Sequence, residues 1–300
     1  MTDQDHIKSF FSHLQNERRL SNYSIAAYKR DLQKLLQFLE SRAQTNLLNL
    51  KTAQARMFPA ELHRSGLSSA SIQRTLSGAR TFYRYLEREK LISYNPFAGI
   101  IAPRGRRRLP QHLSTDQAEK LVSIDAKSEI DYRDRAILEL FYSSGLRLSE
   151  LSLLNLKQVD MEQRLVQVLG KGAKERILPI GRHAHQALDD WFKQRAKIAP
   201  KNETACFVGR SGRRLGARGI QKRVQFWAKR QELGRSVHPH MLRHSFANHL
   251  LESSGDLRAV QELLGHADIS TTQVYTNLDF QHLAKVYDSN HPRAKKIVSK

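Results

Sequence analysis

The 300-residue chain carries 50 Lys and Arg against 29 Asp and Glu, a formal net charge of +21, with 40% hydrophobic and 26% charged residues. A chain of that length and balance buries a sizeable core, which excludes global disorder and predicts two domains. Charge interrupts every apolar stretch well short of the roughly 20 residues a spanning helix needs, so no membrane span is expected, and the lone Cys206 forbids an intrachain disulfide.

The N-terminus, Met-Thr-Asp-Gln-Asp-His, is acidic and has no apolar signal region, so the expected location is the cytoplasm. Four helices are predicted in the first third, at about residues 5–19, 21–39, 51–64 and 69–86. In the second, Ile25, Tyr28, Leu32, Leu35, Leu36 and Leu39 recur at helical spacing behind Ser21. In the fourth, Ile72, Leu76, Ala79, Tyr83 and Leu86 do so behind Ser69. Their polar faces carry Arg18, Arg19, Lys29, Arg30, Arg74, Arg80 and Arg84. These helices make a small domain over residues 1–103.

Periodicity then stops. An Arg-rich linker at 104–110, with Arg104, Arg106 and Arg107, precedes Ser114-Thr115-Asp116-Gln117, a capping-box signature that opens a second domain over 111–300. That linker is either a solvated tether or a set of phosphate contacts. Helices follow at about 115–124, 131–143, 183–198, 217–231, 239–253 and 256–264. Between them, 164–169 and 175–180 alternate around Gly170-Lys171-Gly172-Ala173-Lys174, a β-hairpin. The fold class is mainly α with one small antiparallel sheet.

Charge follows the whole chain rather than one helix or tail. Residues 1–103 hold 15 basic and 8 acidic residues and 109–300 hold 31 and 21, with Arg104-Gly105-Arg106-Arg107-Arg108 between. An anionic membrane would leave one amphipathic helix or a polybasic tail; a distributed surplus suits a long phosphate backbone. Double-stranded DNA is the expected partner. Base-contact candidates are Arg74, Arg80, Arg218 and Arg223.

Chemistry concentrates in the second domain. Two helices end on glycine just before a residue of interest, Gly145 before Leu146-Arg147 and Gly265 before His266. In His238-Pro239-His240-Met241-Leu242-Arg243-His244, Pro239 suits the first helical turn, and His240 and Arg243 then share a face, two phosphate-binding side chains together. The same segment admits a metal reading, with His238, His240, His244 and His249 as imidazole ligands, but the acidic ligand usual in a hydrolytic site is missing nearby. Tyr275 follows in a polar segment. A tyrosine there is either packing or a nucleophile. The second role requires two Arg on the nonbridging phosphate oxygens, a His hydrogen-bonded to them and a Lys to protonate the leaving 5′ oxygen. Lys171 on the hairpin is the candidate for that Lys. A non-catalytic DNA-binding protein would use the same cations merely to hold phosphate.

The order of these motifs, Arg147 in Gly-Leu-Arg-Leu-Ser-Glu, Lys171 in Gly-Lys-Gly, His240-x-x-Arg243, Gly265-His266 and Tyr275, resembles the tyrosine recombinase family over essentially the whole chain. Residues 252–266, Asp279-Phe-Gln-His-Leu and His291-Pro-Arg-Ala look most like its Xer branch. The resemblance implies a SAM-like core-binding domain and a catalytic domain that clamp DNA. It implies Tyr275 as the nucleophile forming a 3′-phosphotyrosine, Arg147 and Arg243 on the scissile phosphate, Lys171 as general acid, and His240 and His266 assisting the transition state. It also implies strand exchange through a Holliday junction, without metal or nucleotide cofactor. Further implied are a cyclic heterotetramer with two copies of a XerD-like recombinase on dif-like sites, resolution of chromosome dimers at division, an FtsK-like translocase as regulator, and location at the nucleoid. In the family a C-terminal helix docks on the neighbouring protomer, which residues 279–300 would supply.

Overall fold

The computed structural model describes residues 2–41, 46–103, 112–169 and 175–264. The chain divides into two compact units, Met1–Leu109 and Pro110–Lys300. The expected Arg-rich linker, with Arg104, Arg106 and Arg107, lies outside the described residues, as do Lys171, His266, Tyr275 and the tail from 279.

The first unit contains α1 (Asp3–Asn16), α2 (Asn22–Glu40), α3 (Thr52–Ala55), α4 (Phe58–Arg64) and α5 (Ser69–Arg88). Ser21 and Ser68 cap α2 and α5 by accepting hydrogen bonds from the main-chain N–H groups of Ser24 and Ser71. The helix expected over 51–64 is two. Pro59 lacks an N–H and is tolerated only in a first turn, so the chain restarts there as α4. The apolar stripes of α1, α2 and α5 meet in an aromatic core where Phe10, Phe58, Phe82 and Phe97 are fully buried. Rings touch edge-on, as in Phe10 with Phe82 at 5.1 Å between centroids.

The second unit contains α6 (Thr115–Val122), α7 (Glu129–Ser144), α8 (Leu148–Leu153), β1 (Val159–Asp160), β2 (Leu165–Leu169), β3 (Glu175–Pro179), α9 (Arg182–Ile198), α10 (Ala217–Arg230), α11 (Pro239–Ser254) and α12 (Leu257–Leu264). Ser114 and Gln117 form the expected capping box on α6. The hairpin is present, with Val166 opposite Leu178 and Val168 opposite Arg176, and the antiparallel order is β1-β2-β3. β1 and α8 are additions to the sequence reading. Two residues show no alternation, and six residues behind a glycine show no helical period. From Ala136 to Ser144 α7 is buried on every side, so it forms the centre of this unit, packed by α6, α9, α10 and α11. No helix among the described residues is long and apolar enough to cross a membrane.

Candidate active site

The end of α7 sets the site. Gly145 adopts φ +57° at the helix C-cap, and a Cβ there would lie 2.7 Å from Phe246 Cε1 on α11. Both the left-handed backbone and the close approach require glycine. Gly145→Ala is therefore expected to destabilise the protein by about 2–4 kcal/mol, read as a lower urea midpoint at unchanged slope. A loss below about 1 kcal/mol contradicts this packing.

The turn made by Gly145 delivers Arg147 to the N-cap of α8, where its neighbour in the first turn is Glu150. The Arg147 main-chain N–H donates to Glu150 Oε2 at 2.7 Å, and its Nη1 to Oε1 at 2.9 Å. Arg147 Nη2 also donates to the Leu264 carbonyl at 3.3 Å, at the end of α12. Arg243, on α11 and 8% exposed, donates to the same Leu264 carbonyl at 2.5 Å and to the Gly145 carbonyl. The two guanidiniums predicted to grip phosphate thus converge on one oxygen, two residues before His266 in the sequence. Burial, then the adjacent Arg147 and Arg176 cations, push the Arg243 guanidinium down to about 10.

Pro239 occupies the first turn of α11, as expected, and His238 caps it by accepting from the Met241 N–H. His240 is at the exposed edge of that turn, and Arg243 one turn on faces inward. Desolvation of its ring, reinforced by His238, His244, Arg243 and Arg147, holds His240 below the ordinary histidine value. His249, a ligand in the metal reading, is turned into the core, with Nδ1 2.9 Å from the Tyr142 hydroxyl. Among the described residues no group of three or more His, Cys, Asp or Glu side chains is arranged to hold a metal ion.

Sequence reasoning missed Glu150 and Arg176. Glu150 is almost fully buried, and Arg176 from β3 takes both its oxygens in a fork, Nη1 to Oε1 at 2.7 Å and Nη2 to Oε2 at 2.8 Å. Burial alone would raise the Glu150 carboxyl, but the hydrogen bonds from Arg176 and Arg147 together outweigh it and hold it below its usual range. The available signal was the Arg147-x-x-Glu150 spacing of a helix start.

The other predicted DNA contacts have varied settings. Arg74 pairs through Nε and Nη2 with Asp31 at 3.2 and 3.0 Å and remains half exposed. Arg80 donates to the Phe97 and Ile100 carbonyls at 3.2 and 2.9 Å, tying the end of the first unit to α5. Arg223 bonds the buried Asp134 and stacks over Phe226 at 4.1 Å. Arg218 is exposed on α10.

The chain is similar to known proteins over nearly its whole length. Residues 111–282 match the Phage integrase family and residues 7–90 match the Phage integrase, N-terminal SAM-like domain. Tyrosine recombinase XerC of Pseudomonas entomophila (strain L48) is 54% identical over 293 residues, 97% of each chain. The XerC of Stutzerimonas stutzeri (strain A1501) is 54% identical over 296 residues, 98% of each. Among solved structures, the XerH site-specific recombinase in a post-cleavage complex with a palindromic difH substrate is 26% identical, with a TM-score of 0.70 over 89% of this chain and 80% of that one. A Tn1549 transposon integrase in complex with transposon right end DNA shares the fold, with a TM-score of 0.74 at 19% identity, covering 95% and 99%. The converging pair of Arg147 and Arg243 therefore stands in a DNA strand-exchange enzyme: the chain is a member of the phage integrase family, a XerC-like site-specific tyrosine recombinase that binds DNA.

Proposed function

We propose that this recombinase acts with a XerD-like partner at a dif-like site, exchanging strands through a Holliday junction to resolve chromosome dimers at cell division. The observation that carries the catalytic reading is the convergence of Arg147 and Arg243 on the Leu264 carbonyl, where a phosphate oxygen can replace that acceptor. Near full-length identity to XerC recombinases supports the pairing with a XerD-like protein, two copies of each in a ring. An FtsK-like translocase as regulator and a nucleoid location follow from the same kinship.

In this reading residues 1–103 grip DNA, residues 104–110 run along its backbone with Arg104, Arg106 and Arg107, and residues 111–300 carry the chemistry. The Tyr275 hydroxyl oxygen attacks phosphorus, the bond from phosphorus to the 5′ oxygen breaks, and Lys171 gives that oxygen its proton. The phenol proton passes to His240. Arg147, Arg243 and His266 hold the nonbridging oxygens as charge builds. Attack by the 5′-hydroxyl of the other duplex reverses these transfers, so no phosphodiester bond is lost. Arg74 and Arg218 are assigned to the DNA backbone on their exposure, whereas Arg80 and Arg223 shape the surfaces on which DNA lies.

A plasmid with two directly repeated dif-like sites tests the function. With the XerD-like protein and chelator present, resolution and trapped Holliday junctions are expected. Site occupancy by both proteins without either product contradicts the proposal.

The state of His240 gives a pH signature. A base with a lowered value is neutral above that value and gains its proton only as pH falls through it. The acid limb of single-turnover cleavage is expected below about 6.5, the ordinary histidine value, and His240→Gln should flatten it. A limb at or above about 6.5 in the wild type contradicts the assignment.

A further inference from the structure

Around Glu150, three guanidiniums, those of Arg147, Arg176 and Arg243, accompany one carboxylate. Arg147 and Arg243 are claimed by the phosphate, but Arg176 is not. Its side chain is 9% exposed, and its fork is closed on both Glu150 oxygens. Its Nε is buried with no hydrogen-bond partner, an arrangement native proteins rarely keep without a use. A carboxylate that served only to hold Arg147 would not need a second buried cation.

We propose that Arg176 is a positioning residue for strand cleavage: by sharing both oxygens of Glu150 with Arg147 it offsets that carboxylate's charge, so that the site meets the reacting phosphate with two positive charges in excess. The inference rests on Arg147 and Arg243 being the phosphate ligands. A phosphodiester carries one negative charge and gathers a second as an oxygen nucleophile adds to phosphorus. Three cations against one carboxylate match that state. Without Arg176 the excess falls to one, and Glu150, stripped of its stronger partner, tightens the bonds it already makes to Arg147. The same fork fixes β3 against α8, so charge and geometry share one side chain.

The test uses the full-length recombinase on a nicked suicide duplex, under conditions in which the wild type forms its covalent adduct. Arg176→Met is expected to slow adduct formation about 10- to 100-fold, with DNA affinity changed less than about threefold. Arg176→Lys keeps the charge without the fork and should recover part of the rate. Glu150→Gln combined with Arg176→Met restores the two-charge excess and leaves no unpaired buried carboxylate, so it should cleave faster than Arg176→Met alone. A duplex with a methylphosphonate at the scissile position carries one charge less, and on it the deficit of Arg176→Met should shrink. Wild-type rates for Arg176→Met overturn the proposal. So does an equal deficit on both substrates with no recovery in the double variant, which marks a merely structural role. Arg147→Ala is the control: if it cleaves normally, the phosphate-ligand reading has failed, and the proposal with it.

Discussion

Tyr275→Phe is expected to abolish covalent attachment to DNA and all strand exchange while leaving affinity for the site within about twofold, because backbone cations dominate that affinity. The change deletes one oxygen and keeps the ring. If that oxygen is the nucleophile, no phosphodiester can be transferred to protein, and the energy of the broken bond has nowhere to be kept. Gel shift and denaturing electrophoresis on the same samples separate the two effects. An adduct that survives the substitution means that another hydroxyl attacks.

Arg243→Ala carries the next largest effect. Cleavage is expected to fall about 100- to 1000-fold, the loss usual when a preorganised donor to a developing oxyanion is removed. Arg243→Lys should recover little, since a point charge on a flexible stem cannot serve the two oxygens that a planar fork spans. Stability should change far less than activity. Alanine abandons the Gly145 and Leu264 carbonyls, a loss, yet it also removes a buried cation beside Arg147 and Arg176. These opposed effects leave an expected net cost below about 2 kcal/mol by urea titration. A loss of fold rather than of rate would make Arg243 a structural lock and contradict its catalytic assignment.

These expectations depend on features with unequal visibility in the sequence. Local periodicity exposed α2 and α5, because Ile25 to Leu39 and Ile72 to Leu86 place one apolar stripe each on the core. Turn chemistry exposed Gly145 and Pro239, whose backbone demands are residue-specific. Short elements were invisible: α8 is too brief to show a period, and Pro59 divides what reads as one helix. The site was half legible. Arg147, His240 and Arg243 stand in recognisable motifs, but the Glu150–Arg176 pair joins a helix to a strand 26 residues away, and no local pattern encodes that contact. Arg80 and Arg223 show the same limit. Each reads as a surface cation, and each bonds acceptors brought near only by the fold.

The most direct measurement is peptide mapping of protein joined to DNA after incubation with a nicked dif-like suicide duplex in chelator, with the XerD-like protein present. A 3′-linked adduct carried by the peptide containing Tyr275 is the predicted result. An adduct on another residue, or none despite full occupancy of the site by both proteins, would contradict the assignment of Tyr275 as the nucleophile.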